Sequence, residues 1–206
     1  MTAALPRQVV EWARGRALSV QHSPADTLSG EPSGSAVFGA GAVHRYALTR
    51  TWDDGPHAVF VLLNPSTASA HSDDPTLRRV RAFARREGYA GIVLANCFSL
   101  RATDPRSLRT RTPAALAEAV GEHTDALLAL LAEQAADIIV GWGVWGATLH
   151  RAPAVEAILT RHGARLWALG TTRAGQPMHP LFLPARAPLV PYQPEVDQPT
   201  TRKETT

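Results

Sequence analysis

Four short segments concentrate the side chains able to do chemistry, and each closes an apolar run. The runs cover 58–63, 91–96, 137–142 and 165–170. They end in Asn64-Pro-Ser-Thr67, in Asn96-Cys-Phe98, in Gly141-Trp-Gly143, and in Gly170-Thr-Thr-Arg173 with Gly175-Gln-Pro-Met-His-Pro180 beyond it. Asn64 is an amide that accepts and donates without titrating, suited to holding a water or a substrate amide, and Pro65 fixes the chain directly after it. An Asx-type turn cap explains the same asparagine without chemistry. His179 suits the role of a donor to developing negative charge, or of an acid near neutral pH, with a structural histidine as the alternative. Asp73 and Asp74 are candidates for a general base or a water-orienting carboxylate, although helix capping accounts for at least one of them. Ser66, Thr67, Trp142, Gly143 and Leu181 flank these groups and complete the candidate substrate contacts with Pro65, Asn96 and Phe98.

Metal chemistry is not expected. His71, Asp73 and Asp74 lie close together, but no second histidine stands at ligand spacing and a helix start accounts for the carboxylates. No cofactor is expected either. Cys97 is the single cysteine, which excludes an internal disulfide and a cysteine-built zinc site and leaves small-hydrophobe packing as its expected role.

The elements that must position these residues follow from periodicity. Four buried apolar runs separated by helical stretches indicate parallel strands covered on both faces, because crossover helices lie against the sheet. Asp73-Asp-Pro75 supplies a cap and an opening proline for a helix through Leu77, Val80, Phe83 and Ala84. Thr112-Pro113 opens a long helix through Leu131, and a further helix runs over 147–162. Strand-like alternation over 44–52, followed by the turn Asp53-Asp-Gly-Pro56, reads as a hairpin feeding the first buried strand. The expected fold class is therefore α/β: an open, mainly parallel four-stranded sheet with helices on both faces, preceded by an antiparallel hairpin. In such a sheet ligands bind beyond the carboxyl ends of the strands, where the four polar segments fall.

Residues 1–35 read as a short amphipathic helix and a flexible linker, 36–184 as one catalytic-type α/β domain, and 185–206 as a proline-rich arm and disordered tail. No apolar stretch reaches the roughly 18 to 20 residues of a membrane span, and the first twenty residues are unlike a secretory signal. A cytoplasmic location without membrane attachment is expected. The net charge is +3 and the sequence pI about 9.6, which permits a polyanionic partner without requiring one. Arg78, Arg79, Arg81, Arg85 and Arg86 crowd one helix, as a solvated face or as phosphate contacts; Arg78, Arg79 and Arg173 are the phosphate candidates.

The ordered motifs Arg45-Tyr46, Leu63-Asn-Pro-Ser-Thr-Ala68, Asp73-Asp-Pro-Thr76, Asn96-x-Phe98, Arg101-Ala-Thr-Asp104, Gly141-Trp-Gly143 and Gly175-Gln-Pro-x-His-Pro180 resemble a bacterial domain-of-unknown-function family over about 43–183. More distantly, strands ending in Asn-Pro, in Asn, in Gly and before His-Pro are similar to the uracil-DNA glycosylase superfamily. That resemblance implies a three-layer sandwich in which Asn64 positions the hydrolytic water, Asn96 reads the base edge and His179 stabilises the departing base. Phe98 would be a stacking wall and Leu181 a wedge. Ser66 departs from the glycine common after Asn-Pro, and Leu181-Phe182 from the Ser-Pro that often follows His-Pro. The expected activity is hydrolysis of the N-glycosidic bond of a damaged or modified base in DNA, single-stranded or carrying modified bases. The alternatives are a non-catalytic nucleic-acid or nucleotide-binding module of the same fold, and a hydrolase of free nucleosides or nucleotides.

Overall fold

A computed structural model describes residues 4–26, 28, 30–109 and 112–194. Among them, eight strands form one sheet in the order β1 (Ser19–Ser23), β2 (Ser33–Phe38), β3 (Arg45–Thr51), β5 (Gly91–Asn96), β4 (His57–Leu62), β6 (Asp137–Gly141), β7 (Arg165–Ala168) and β8 (Val190–Pro191). The four central strands, β5, β4, β6 and β7, run parallel, while the outer strands on both sides pair antiparallel. The central four are the runs read from the sequence.

The remaining strands correct that reading. The polar stretch expected as a linker supplies β1 and the start of β2, whose outward residues are tolerated because an edge strand buries only part of its surface. The hairpin is β2–β3, not β3–β4: β3 pairs with β5, which separates it from β4. The proline-rich arm contributes β8, whose Val190 and Pro191 pair with β7, and Tyr192 is buried. The tail expected to be disordered lies, from residue 195 onward, outside the described residues.

Side-chain alternation along the strands splits the core in two. Val59 and Val61 of β4 face one cluster with Val93, Ile138 and Val140, covered by α1 (Leu5–Arg14), α4 (Thr124–Gln134) and α6 (Ala152–Arg161) through Val9, Leu128, Leu131, Val155 and Leu159. Phe60 and Leu62 face the other, where Leu77, Val80, Phe83 and Ala84 of α2 (Pro75–Arg86) close over Leu48, Ile92 and Leu94. Leu77, Val80 and Phe83 each contribute about 1.5–3 kcal/mol by their burial. The long helix expected from Thr112 is interrupted. It forms α3 (Pro113–Val120), then stops at Gly121, whose positive φ of 80° turns the chain before α4. The helix expected over 147–162 divides similarly into α5 (Val144–Thr148) and α6. No helix among the described residues is long and apolar enough to cross a membrane.

Strand order decides where a cleft opens. The chain leaves β4 through α2 to reach β5 on one side, then passes through α3 and α4 to β6 on the other. The carboxyl ends of β4 and β6 are thus neighbours from which the connections diverge, the position where open α/β sheets leave a crevice.

Candidate functional site

A cavity of about 570 Å³ occupies that crevice. Its floor is Leu63 and Asn64, directly after β4, with Trp142 and Gly143, directly after β6. Asp74, Pro75 and Thr76 at the start of α2 line it, as do Ala102, Thr103, Trp145, Met178, His179, Leu181 and Phe182.

Asn64 is held in one orientation. Its Nδ2 donates to the Pro65 carbonyl at 3.0 Å and to the Ala102 carbonyl at 2.7 Å, and the Ala102 amide donates back to the Pro65 carbonyl at 2.9 Å. Two carbonyl partners require the NH₂ end of the amide there, so Oδ1 is the remaining acceptor for a ligand. The loop beyond it is fixed by two buried arginines of β3. Arg45 Nη1 donates to the Ala68 carbonyl at 2.6 Å; Arg50 Nη2 donates to the Ser69 carbonyl at 2.7 Å, and its Nε donates to Asp73 Oδ1 at 3.0 Å. Burial lowers Arg45 to about 10, partly offset by the Asp74 carboxylate.

Asp73 is therefore a structural anion. It pairs with Arg50 and Arg81 and lies outside the lining of the cavity, where the general base was expected. Asp74 does line the cavity; one oxygen caps α2 by accepting from the Leu77 amide at 2.8 Å.

His179 reaches the cavity on a folded-back segment. Thr171 bridges to Pro177, the Gly143 amide donates to the Pro177 carbonyl at 2.8 Å, and Met178 N donates to the Gly170 carbonyl at 2.9 Å. This segment crosses the end of β6 so closely that a Cβ on Gly141 would stand 2.9 Å from Pro180 Cδ. Gly143 takes a positive φ of 67° at the same crossing, which explains the two glycines around Trp142. Gln176 Oε1 accepts from Trp142 Nε1 at 3.2 Å and holds the indole below. The Leu181 amide donates to His179 Nδ1 at 3.3 Å, so the neutral ring carries its proton on Nε2. Burial pushes His179 down to about 4, against a weaker opposing pull from Asp74, and the ring is neutral at physiological pH. The site thus offers a fixed acceptor at Asn64 and an uncharged donor at His179.

The remaining expected residues divide. Ser66, Thr67, Trp142, Gly143 and Leu181 line the cavity, and Pro65 is buried beside it, serving through its carbonyl. Asn96 and Phe98 do not line it: they are 4% and 0% exposed. Residues 96–99, at and directly after the end of β5, do not open into the cleft. The Cys97 and Phe98 amides donate to the Leu62 and Leu63 carbonyls, the Ser99 amide to the Val120 carbonyl, and Phe98 enters the core under α3 and α4. Cys97 is buried, and desolvation pushes its thiol up to about 12. Arg78 donates to the Asp73 carbonyl and Arg79 to the Leu183 carbonyl, so both expected phosphate contacts are engaged within the protein. Arg173 is exposed on the 171–177 turn. Trp145 and Phe182, which as aromatic residues near strand ends could stack on a base or pack in the core, both line the cavity, whereas sequence reasoning missed Thr76, Thr103 and Thr172.

No curated protein and no solved structure matches the chain. The family model described as "Protein of unknown function (DUF1643)" matches residues 45–181, about two thirds of the length, and this stretch carries both loop-fixing arginines together with Asn64, Asp74 and His179; the chain belongs to that family.

Proposed function

We propose that the protein hydrolyses the N-glycosidic bond of a damaged or modified base in DNA. The observation that carries this reading is the pairing, in one cavity, of a fixed acceptor at Asn64 with an uncharged donor at His179. When the C1′–N bond breaks, the bonding pair goes to the base and positive charge develops on the sugar. His179 Nε2–H donates to the base as it becomes negative, and a neutral donor does this without first paying for a buried charge. Asn64 Oδ1 accepts from the water whose oxygen bonds to C1′, and the Asp74 carboxylate lies in the same cavity to stabilise the positive sugar and take up the water's proton. Trp145 and Phe182 replace the buried Phe98 as the aromatic walls for an unstacked base.

A polymer is favoured over a free nucleoside by the mouth of the cavity. Leu181 and Phe182 line the cavity yet are 38% and 77% exposed, so part of each side chain stands outside it, suited to entering a base stack. The test is incubation with DNA panels carrying damaged and hypermodified bases, read out as abasic sites. Product from the native chain that is lost in Asn64→Ala and His179→Ala supports the assignment. No product on any panel, or equal product from Asn64→Ala, removes it, and turnover of nucleosides alone would move the substrate from polymer to monomer.

A further inference from the structure

The arginines of α2, the obvious place for a polyanion, hold groups that lie outside the cavity lining. Arg79 and Arg86 donate to the Leu183 and Ala185 carbonyls and strap the segment after His179 onto the helix. Arg81 pairs with Asp73, Arg78 bonds the Asp73 carbonyl, and Arg85 lies 4.9 Å over the Trp52 ring. The cationic groups at the cavity mouth come instead from the segment that follows β5.

Ala102, Thr103 and Pro105 line the cavity, and Arg101, Arg106 and Arg109 alternate with them as exposed side chains. Arg101 Nε donates to the carbonyl of Ser66, itself a lining residue, at 3.4 Å, while its Nη1 donates to the Ala42 carbonyl at 3.2 Å and the guanidinium lies 5.5 Å over the Phe38 ring. The Arg109 guanidinium lies 5.8 Å over the ring of Trp145, another lining residue. The one acidic residue of 101–109, Asp104, pairs with Arg106, and with three arginines in the stretch the segment is net cationic. This lip is anchored by Leu108 in the core cluster beneath α4 and α6. The exposed Leu181 and Phe182 are anchored by Leu183 in the opposite cluster, with α2. A cationic lip and an apolar prong therefore face the cavity from opposite sides of the sheet.

We infer that this mouth is a nucleic-acid-binding surface in which a DNA strand lays its phosphates along Arg101, Arg106 and Arg109 and stacks a base against Phe182. The inference rests on the reading of the cavity as a base pocket and adds the surface that brings the polymer to it. Phosphates are held by charge, whose loss weakens binding with a reduced salt dependence, whereas stacking on an aromatic ring is insensitive to salt.

The experiment measures fluorescence anisotropy of a fluorescein-labelled, unmodified 15-nucleotide single strand, and of its duplex, from 50 to 200 mM salt. Arg106 and Arg109 are exposed, the first paired with exposed Asp104 and the second lying over the half-buried Trp145, so Arg106→Gln/Arg109→Gln removes no buried side chain, and a thermal melt checks that the fold is kept. The double variant is expected to weaken binding at least tenfold at 100 mM salt and to lower the slope of log affinity against log salt by about two. Phe182→Ala is expected to weaken single-strand binding roughly tenfold with the slope unchanged. Arg78→Gln and Arg85→Gln are expected to bind as the native chain does. Native-like affinity and slope in the double variant, an equal loss in the α2 variants, or no binding by the native chain overturns the inference. Binding that depends on the lip in a protein that releases no base would retire the hydrolase and keep the surface; base release that ignores the lip variants would do the reverse.

Discussion

The low pKa of His179 makes a prediction about stability that needs no substrate. Burial lowers the ring from 6.5 to about 4, so between those values the unfolded chain holds a proton that the folded chain does not. The contribution to stability is complete above pH 6.5 and is lost progressively as the pH falls toward 4. Worked from the two pKa values, the fall from pH 7 to pH 5 removes about 2 kcal/mol, and a folded value one unit higher changes this only to about 1.5 kcal/mol. His44 and His57 are also lowered by burial and act in the same direction, so the measurement is a difference. Urea unfolding followed by tryptophan fluorescence, at both pH values, is compared between the native chain and His179→Asn. The native chain is expected to lose about 2 kcal/mol more than the variant. Equal losses would refute the assignment of a neutral, desolvated ring at this position, and with it the uncharged donor.

Three further perturbations probe the frame of the site. Gly141→Ala places a methyl group 2.9 Å from Pro180 Cδ and 3.3 Å from the Met178 carbonyl; the cost is about 1–3 kcal/mol in urea unfolding, with displaced His179 ring resonances by NMR, and an unperturbed His179 would show that the crossing is looser than described. Asp73→Ala leaves Arg50, 3% exposed, without its carboxylate, and about 3 kcal/mol of stability is expected to go; Arg50→Met in the same chain should restore part of it, and strict additivity of the two changes would deny the coupling. The Cys97 thiol, buried and pushed up to about 12, is expected to resist a disulfide reagent at pH 8 until urea unfolds the chain, whereas prompt modification would place it at a surface.

The parts of the fold visible in the sequence were those whose signal is local. Ile138-Ile-Val140 and Ile92-Val-Leu94 are buried on both faces, so they appear as unbroken apolar runs, and Asp74-Pro75 marks the start of α2 by capping chemistry alone. Edge strands lack that signal. Ser19–Ser23 is half in water, and its composition matches that of a loop. The cavity was legible as a place because strand polarity fixes which ends meet; its membership was less so. Asn96 ends a strand as Asn64 does, yet which strand ends are roofed depends on α3 and the segment 97–101, and spacing does not encode that. The fates of the arginines were least legible. Arg79 and Arg86 find carbonyls about a hundred residues away, and Arg45 and Arg50 are strand residues that turn into the protein.

Those arginine contacts join the architecture to the chemistry. A loop of Asn, Ser, Thr, Ala and Asp has little apolar surface with which to hold itself, and its carbonyls must find donors if they are to be buried. Arg45 and Arg50 supply the donors at one end of the cavity, while Arg79 and Arg86 supply them for the segment after His179. Arg45, Arg50 and Arg79 satisfy buried or half-buried backbone oxygens that water would otherwise have to reach. The loops stay in place, and the cavity walls stay apolar. The apolar walls in turn desolvate His179 and keep it neutral, and the same packing holds Asn64 with Oδ1 as its free acceptor. A donor and an acceptor fixed before any ligand arrives need no reorganisation when charge develops between them. Arg45, Arg50, Arg79 and Arg86 are thus committed to building the cleft.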